Sequence, residues 1–115
     1  MNEKNNHWEE GTLTRILRRN KGYRIFRCVS RGSDAIAVEK DGEIVVIKGS
    51  LAAPRNDSFD KIKNSIQDYR RIAEKFGNLD SNRIFAIRIT FSSLTSAAKF
   101  VTGSQSSRAS VWKPI

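Results

Sequence analysis

Tyr23-Arg24-Ile25-Phe26-Arg27-Cys28-Val29-Ser30, Ala35-Ile36-Ala37-Val38-Glu39 and Glu43-Ile44-Val45-Val46-Ile47-Lys48-Gly49-Ser50 are three extended runs separated by two turns. The first is rich in aromatic and β-branched residues, which suit a pleated surface. The last holds four β-branched residues in a row, Ile44 to Ile47, as a buried strand does. Between the second and third runs stands Lys40-Asp41-Gly42-Glu43. Asp-Gly between extended runs favours the type I′ turn, whose twist matches that of the flanking strands. Residues 23–50 therefore predict a three-stranded antiparallel meander. This meander decides the fold class.

Toward the C-terminus, Leu51 to Asp57 reads as a loop containing Pro54. Asp57 or Ser58 then caps a long helix that Gly77 ends. Phe59, Ile62, Ile66, Tyr69, Ala73 and Phe76 recur at three- and four-residue steps and give one apolar stripe. Lys61, Lys63, Arg70, Arg71 and Lys75, mixed with Asp60, Asp68 and Glu74, form its outer face. Arg83 to Phe91 alternates as a strand, with Arg88 and Thr90 opposite Phe85, Ile87, Ile89 and Phe91. Ser93 is the natural N-cap of a short closing helix, and Gly103 its stop. Ala97 and Ala98 leave a slot on that helix, on which Trp112 is expected to dock.

Toward the N-terminus the pattern is less decisive. Leu13, Ile16 and Leu17 have helical spacing, while Leu13, Arg15 and Leu17 alternate. Asn20-Lys21-Gly22 resembles a hairpin turn, which favours a strand over residues 11–20. Residues 1–10 are polar and read as a disordered leader. The expected fold is α+β: a small antiparallel sheet, made of the meander and a later strand, with one long and one short helix packed on it. Residues 11–115 form a single domain of a size that supports one modest core.

The charge is lopsided. The chain of 115 residues carries a net charge of +9. A basic domain of this size points to nucleic acid or another polyanion. From Gly11 to Gly32 there is no acidic residue, whereas Arg15, Arg18, Arg19, Lys21, Arg24, Arg27 and Arg31 all fall there. On a hairpin they would cluster positive charge on one edge, or guard that edge against aggregation. Lys48-Gly49-Ser50 is either a strand-end kink or an anion site built from exposed amides beside a lysine. It lacks the upstream glycine of a phosphate-binding P-loop.

The Lys48-Gly49-Ser50 and Phe91-Ser92-Ser93-Leu94-Thr95-Ser96-Ala97-Ala98 stretches, with Trp112-Lys113 at the end, resemble a family signature. It is that of a small domain family of unknown function marked by Lys-Gly-Ser and Ser-Pro-Ser-x-Ala-Ala motifs. Its members occur alone or appended to GIY-YIG nucleases and restriction-associated proteins. The resemblance covers Ala35 to Lys113. A more distant one is to the restriction enzyme–adenine methylase associated domain, which is thought to read DNA. The departures are Leu94 for the family's Pro, Thr95 for its Ser, and Ser107-Arg108-Ala109 in place of Asn-Gly and an aromatic.

Catalytic chemistry has no visible constellation. The single histidine, His7, and single cysteine, Cys28, stand apart, so neither a metal cluster nor an internal disulfide is expected. Ser92, Ser93, Thr95 and Ser96 are expected to cap a helix rather than attack a substrate. No apolar run reaches the roughly 18 residues of a membrane helix, and the lone cysteine suits a reducing, cytoplasmic setting. The expectation is a non-enzymatic, cofactor-free, nucleic-acid-binding accessory module, with DNA as the partner. Its candidate contacts are Arg15, Arg18, Arg19, Lys21, Arg24, Arg27, Lys48, Ser93, Arg108 and Lys113. Phosphates bind well at helix N-termini and hydroxyls, which brings in Ser93. The alternative is a protein-interaction or oligomerisation module.

Overall fold

The computed structural model describes residues 7–115. Its centre is the expected meander: β1 (Arg24–Cys28), β2 (Ala35–Lys40) and β3 (Glu43–Val46). Arg24 lies opposite Glu39 and Ala37 opposite Val46, all antiparallel. Asp41 and Gly42 both take positive φ, 51° and 81°, as the type I′ geometry demands. Two further strands extend the sheet. β4 (Ile89–Phe91) joins β3, and β5 (Lys113–Pro114) joins β1, giving the order β4-β3-β2-β1-β5. The protein is a small α+β fold.

Alternation along the strands gives the sheet two different faces. Phe26, Cys28, Ala35, Ala37, Ile44, Val46, Ile89 and Phe91 point into the main core. There they meet α3 (Ser65–Lys75) and α4 (Leu94–Thr102), with Phe100 and Trp112. Ile25, Ile36 and Val38 point the other way, into a second cluster with Trp8, Leu13 and Ile16.

That second cluster corrects the N-terminal expectation. Residues 11–19 belong to a helix, α1 (Glu10–Arg19), not to a strand. Glu10 in the first turn and Arg18 and Arg19 in the last suit the helix dipole. Leu13 and Ile16 follow the helical period and pack on the sheet. Asn20 is a C-cap rather than a hairpin corner, and its side-chain Nδ2 donates to the Ile16 carbonyl at 2.8 Å. Residues 1–6 of the expected leader lie outside the described residues. Trp8, assigned to that leader, is buried, and its indole donates to the Asp34 carbonyl at 3.2 Å.

The expected long helix is two helices. α2 (Asp57–Lys61) ends at Ile62, whose backbone is extended, and α3 starts afresh behind Asn64. Asn56 and Asn64 are the caps, accepting from the amides of Phe59 and Gln67, both at 2.9 Å. The break rotates the expected stripe out of register. Phe59 and Ala73 are buried, while Ile62, Tyr69 and Phe76 are exposed. Arg70, expected on the outer face, is instead fully buried. The strand expected over residues 83–91 shrinks to β4, with single bridges at Ile84 and Phe85.

The C-terminal expectations hold. Ser93 accepts from the Ser96 amide at 3.0 Å. Gly103 closes α4 in the left-handed conformation with φ 65°. Trp112 is buried with Ala97 and Ala98 in the main core, its indole donating to the Leu94 carbonyl at 3.1 Å. No described helix is long and apolar enough to cross a membrane.

Candidate nucleic-acid interface

On the outer sheet face, α1 covers only part of the surface. Beside it lies a cleft of about 780 Å³. Its floor is aliphatic, made by Val38, Val45 and Ile47 of the sheet side and Ile16 of α1. Val38 and Val45 are direct cross-strand partners, so the floor continues from β2 to β3.

The rim is cationic. Arg15 and Arg19 stand four residues apart on α1 and so share one helix face. Lys40 comes from the end of β2, Lys48 from the turn after β3, and Arg88 from the chain entering β4. Among the described residues no acidic side chain lines the cleft, and none of these five cations enters an ion pair with a described residue. Five like charges brought to one concave surface sum to a positive local potential, which a cleft with low-dielectric walls focuses.

The turn that presents Lys48 is built from the Lys-Gly-Ser motif. Gly49 has φ 91°, a conformation that side-chain-bearing residues rarely adopt. Its amide donates to the Phe85 carbonyl at 2.9 Å. The buried Ser50 hydroxyl accepts from the Ile36 amide at 3.1 Å. His7 Nε2 is 2.7 Å from the Gly49 carbonyl, and the Trp8 ring lies against the same glycine. The motif is thus a strand-end kink: the Gly49 and Ser50 amides are spent on the Phe85 and Ile47 carbonyls, and Lys48 lines the cleft beside them.

Of the ten expected contacts, the fold brings Arg15, Arg19 and Lys48 together in this cleft. Arg18 and Lys21 are exposed but lie outside its lining. Arg24 points to the opposite sheet face, over the Phe26 ring and 3.3 Å from Glu39. Arg27 forks onto the buried Asp34 carboxylate at 2.8 and 2.9 Å. The hydrogen bond to Asp34 raises the pKa of its guanidinium, with the Asp34 charge adding to the effect and partial burial opposing it. Arg27 is therefore a clamp within the fold. Ser93 spends its hydroxyl on capping α4 and on donating to the Ser96 hydroxyl. Arg108 lines a second, hydroxyl-rich hollow with Thr95 and Lys99. Lys113 is exposed on β5, opposite Arg27.

Lys40 and Arg88 complete the rim and were absent from the expected set. Both carried a signal. Lys40 follows Val38 at a two-residue step, and Arg88 precedes Thr90 in the same way, so each shares the outer face with its neighbour.

Among the described residues that line the cleft there is no His, Cys, Asp or Glu. Among the described residues no group of three or more His, Cys, Asp or Glu side chains could hold a metal ion. Cys28 is buried on the opposite face, and burial pushes its thiol pKa up.

Comparison with protein-family models, with curated proteins and with solved structures returns no match to this chain.

Proposed function

We propose that this chain is a nucleic-acid-binding accessory module, with DNA as its ligand, that grips phosphates from the rim of the α1 cleft. The observation that carries the proposal is the convergence of Arg15, Arg19, Lys40, Lys48 and Arg88, from four separate parts of the chain, around one cleft with no carboxylate among its described lining residues. Phosphate contacts of this kind position a strand without reading its sequence. Base readout in a major groove is not part of the proposal. The module is proposed to be non-enzymatic. Its link to restriction or nuclease systems rests on the resemblance of the Lys48-Gly49-Ser50 and Ser93-to-Ala98 stretches alone.

The test is fluorescence anisotropy on labelled DNA across a salt series. If four or five phosphates are neutralised on duplex, log Kd should change with log salt with a slope of about 4 in magnitude. Replacing Arg15, Arg19 and Arg88 together by Ala should lower that magnitude by roughly 2 to 3. Replacing Arg18 and Lys21, which lie outside the cleft, should leave at least most of it. Absence of binding at low salt, or equal effects of the two variants, would defeat the proposal.

A protein-interaction role is the second reading. Tyr69 and Ile72 on α3 and Phe76 at its C-cap, spaced three and four apart, are exposed large apolar residues. Binding through these residues would be indifferent to salt and to the arginine substitutions.

A further inference from the structure

The cleft has a feature that phosphate gripping alone does not use: an aliphatic floor recessed below its cations. Val38, Val45 and Ile47 line it beside Ile16. A duplex presents phosphates on a convex surface and keeps its bases stacked inside. It would meet the rim and leave the floor uncovered. An unpaired strand exposes base faces, which can cover apolar surface while the backbone meets the cations. A volume of about 780 Å³ falls in the range that holds whole small molecules, roughly 300–1,000 Å³. A base with its sugar and phosphate is of that class.

A second observation points the same way. Tyr23 stands two residues before Ile25, on the outer sheet face, at the end of the cleft where α1 stops. The residue is 46% exposed. Its amide donates to the carbonyl of Asn20, a cleft residue, at 3.0 Å. The ammonium of Lys40, another cleft residue, lies 5.1 Å from the ring centroid. An exposed aromatic ring beside a cationic groove is the arrangement that binds single strands without sequence preference. Trp8 also lines the cleft, but its ring is packed into the second core cluster and only 9% of the residue is exposed; Trp112 is buried in the main core.

We infer that the cleft selects single-stranded over double-stranded DNA, with a base stacked on Tyr23 and its neighbour laid on the half-buried Val45 and Ile47 of the floor. The inference rests on the nucleic-acid reading above and narrows its ligand. Lys40 then serves both sides of the contact, holding the Tyr23 ring and facing the adjacent phosphate.

The experiment compares a labelled oligodeoxythymidylate with a labelled hairpin duplex of equal nucleotide count, at fixed low salt. Wild type, Tyr23→Ala and Tyr23→Phe are measured on both. The single strand should bind about tenfold more tightly than the duplex. Tyr23→Ala should weaken single-strand binding by roughly tenfold, as loss of one base–aromatic stack does, and leave duplex binding unchanged. Tyr23→Phe should retain wild-type affinity, since the ring rather than the hydroxyl carries the contact. All three proteins should melt together, because Tyr23 is exposed. Binding with no single-strand preference, or a single strand indifferent to Tyr23→Ala, overturns this inference and spares the broader reading. No binding of either probe overturns both.

Discussion

Arg70 gives the sharpest test of how this fold holds together. Its side chain is 0% exposed, wedged between α3, α4 and the loop that leads to α2. One terminal nitrogen donates to the Phe100 carbonyl at 2.6 Å, the other to the Ala53 carbonyl at 2.5 Å. Nε donates to Glu74 at 2.9 Å, and Glu74 also reaches Arg55 at 3.2 Å. Burial pulls the pKa of Arg70 down and Glu74 pushes it back up; a guanidinium stays charged in any case. Consider Arg70→Met, which keeps the bulk and removes the donors. Two buried carbonyls lose their partners, at about 1–3 kcal/mol each. Glu74 loses less, because it is partly exposed and keeps Arg55. The substitution also removes the cost of burying the charge, so the net loss should be about 3 kcal/mol, at the low end for a broken buried pair. For a domain near this size that lowers Tm by on the order of 10–20 °C. Arg70→Lys should recover only part of it, since an ammonium lacks the planar fork. The assay is thermal and urea unfolding followed by circular dichroism. A loss below about 1 kcal/mol for Arg70→Met, at unchanged urea slope, would refute the claim that this guanidinium ties the two helices to the loop.

Trp112→Ala should destabilise by about 3–5 kcal/mol, because the ring fills the α4 slot and its indole bonds Leu94; deletion of residues 110–115 should cost more, since it also removes β5, and urea unfolding reads both. Gly103→Ala should cost at least about 1–2 kcal/mol for its left-handed backbone, and more because a Cβ there would press on the Pro54 carbonyl and lie 2.8 Å from Arg55 Cα; a melt equal to wild type would contradict that packing. The Cys28 thiol pKa is raised by burial from its usual 9.0, so the folded state holds this proton more tightly than the unfolded one. The stabilising effect is complete below about pH 9 and declines as pH rises toward the folded value. Cys28→Ala should flatten that alkaline decline in stability, measured by urea midpoints between pH 8 and 10.5.

The meander, its Asp-Gly turn and the capped closing helix were legible because each is decided locally. Asp41-Gly42 needs two positive φ angles, and Ser93 and Gly103 supply chemistry at a helix start and stop. What escaped was decided by distant partners. Arg70 looks solvent-facing in any pattern that counts charge as polar, and only the carbonyls of Ala53 and Phe100 make it a core residue. The apolar stripe through Ile62 and Phe76 ignored Asn64, whose side chain starts a new helix. A cap residue six positions inside a periodic run outweighed the period itself.

The misassignment of residues 11–20 bears directly on the site. In a strand, Arg15, Leu17 and Arg19 would share one face and Ile16 and Arg18 the other. In a helix, Thr12, Arg15, Ile16 and Arg19 share a face, and Arg18 turns away. The two assignments distribute the same arginines differently, and only the helix sets cations and an aliphatic side chain over one hollow. Periodicity within the segment does not separate them, because Leu13 and Leu17 fit both. The deciding contact lies outside it. Trp8 packs with Ile25, Ile36 and Val38, anchors the start of α1 on the sheet, and presses on Gly49 beside Lys48. One buried indole from the polar N-terminal stretch thus fixes the helix that carries Arg15 and Arg19 and braces the turn that carries Lys48. The charge pattern of the cleft is a consequence of that single packing contact as much as of the arginines themselves.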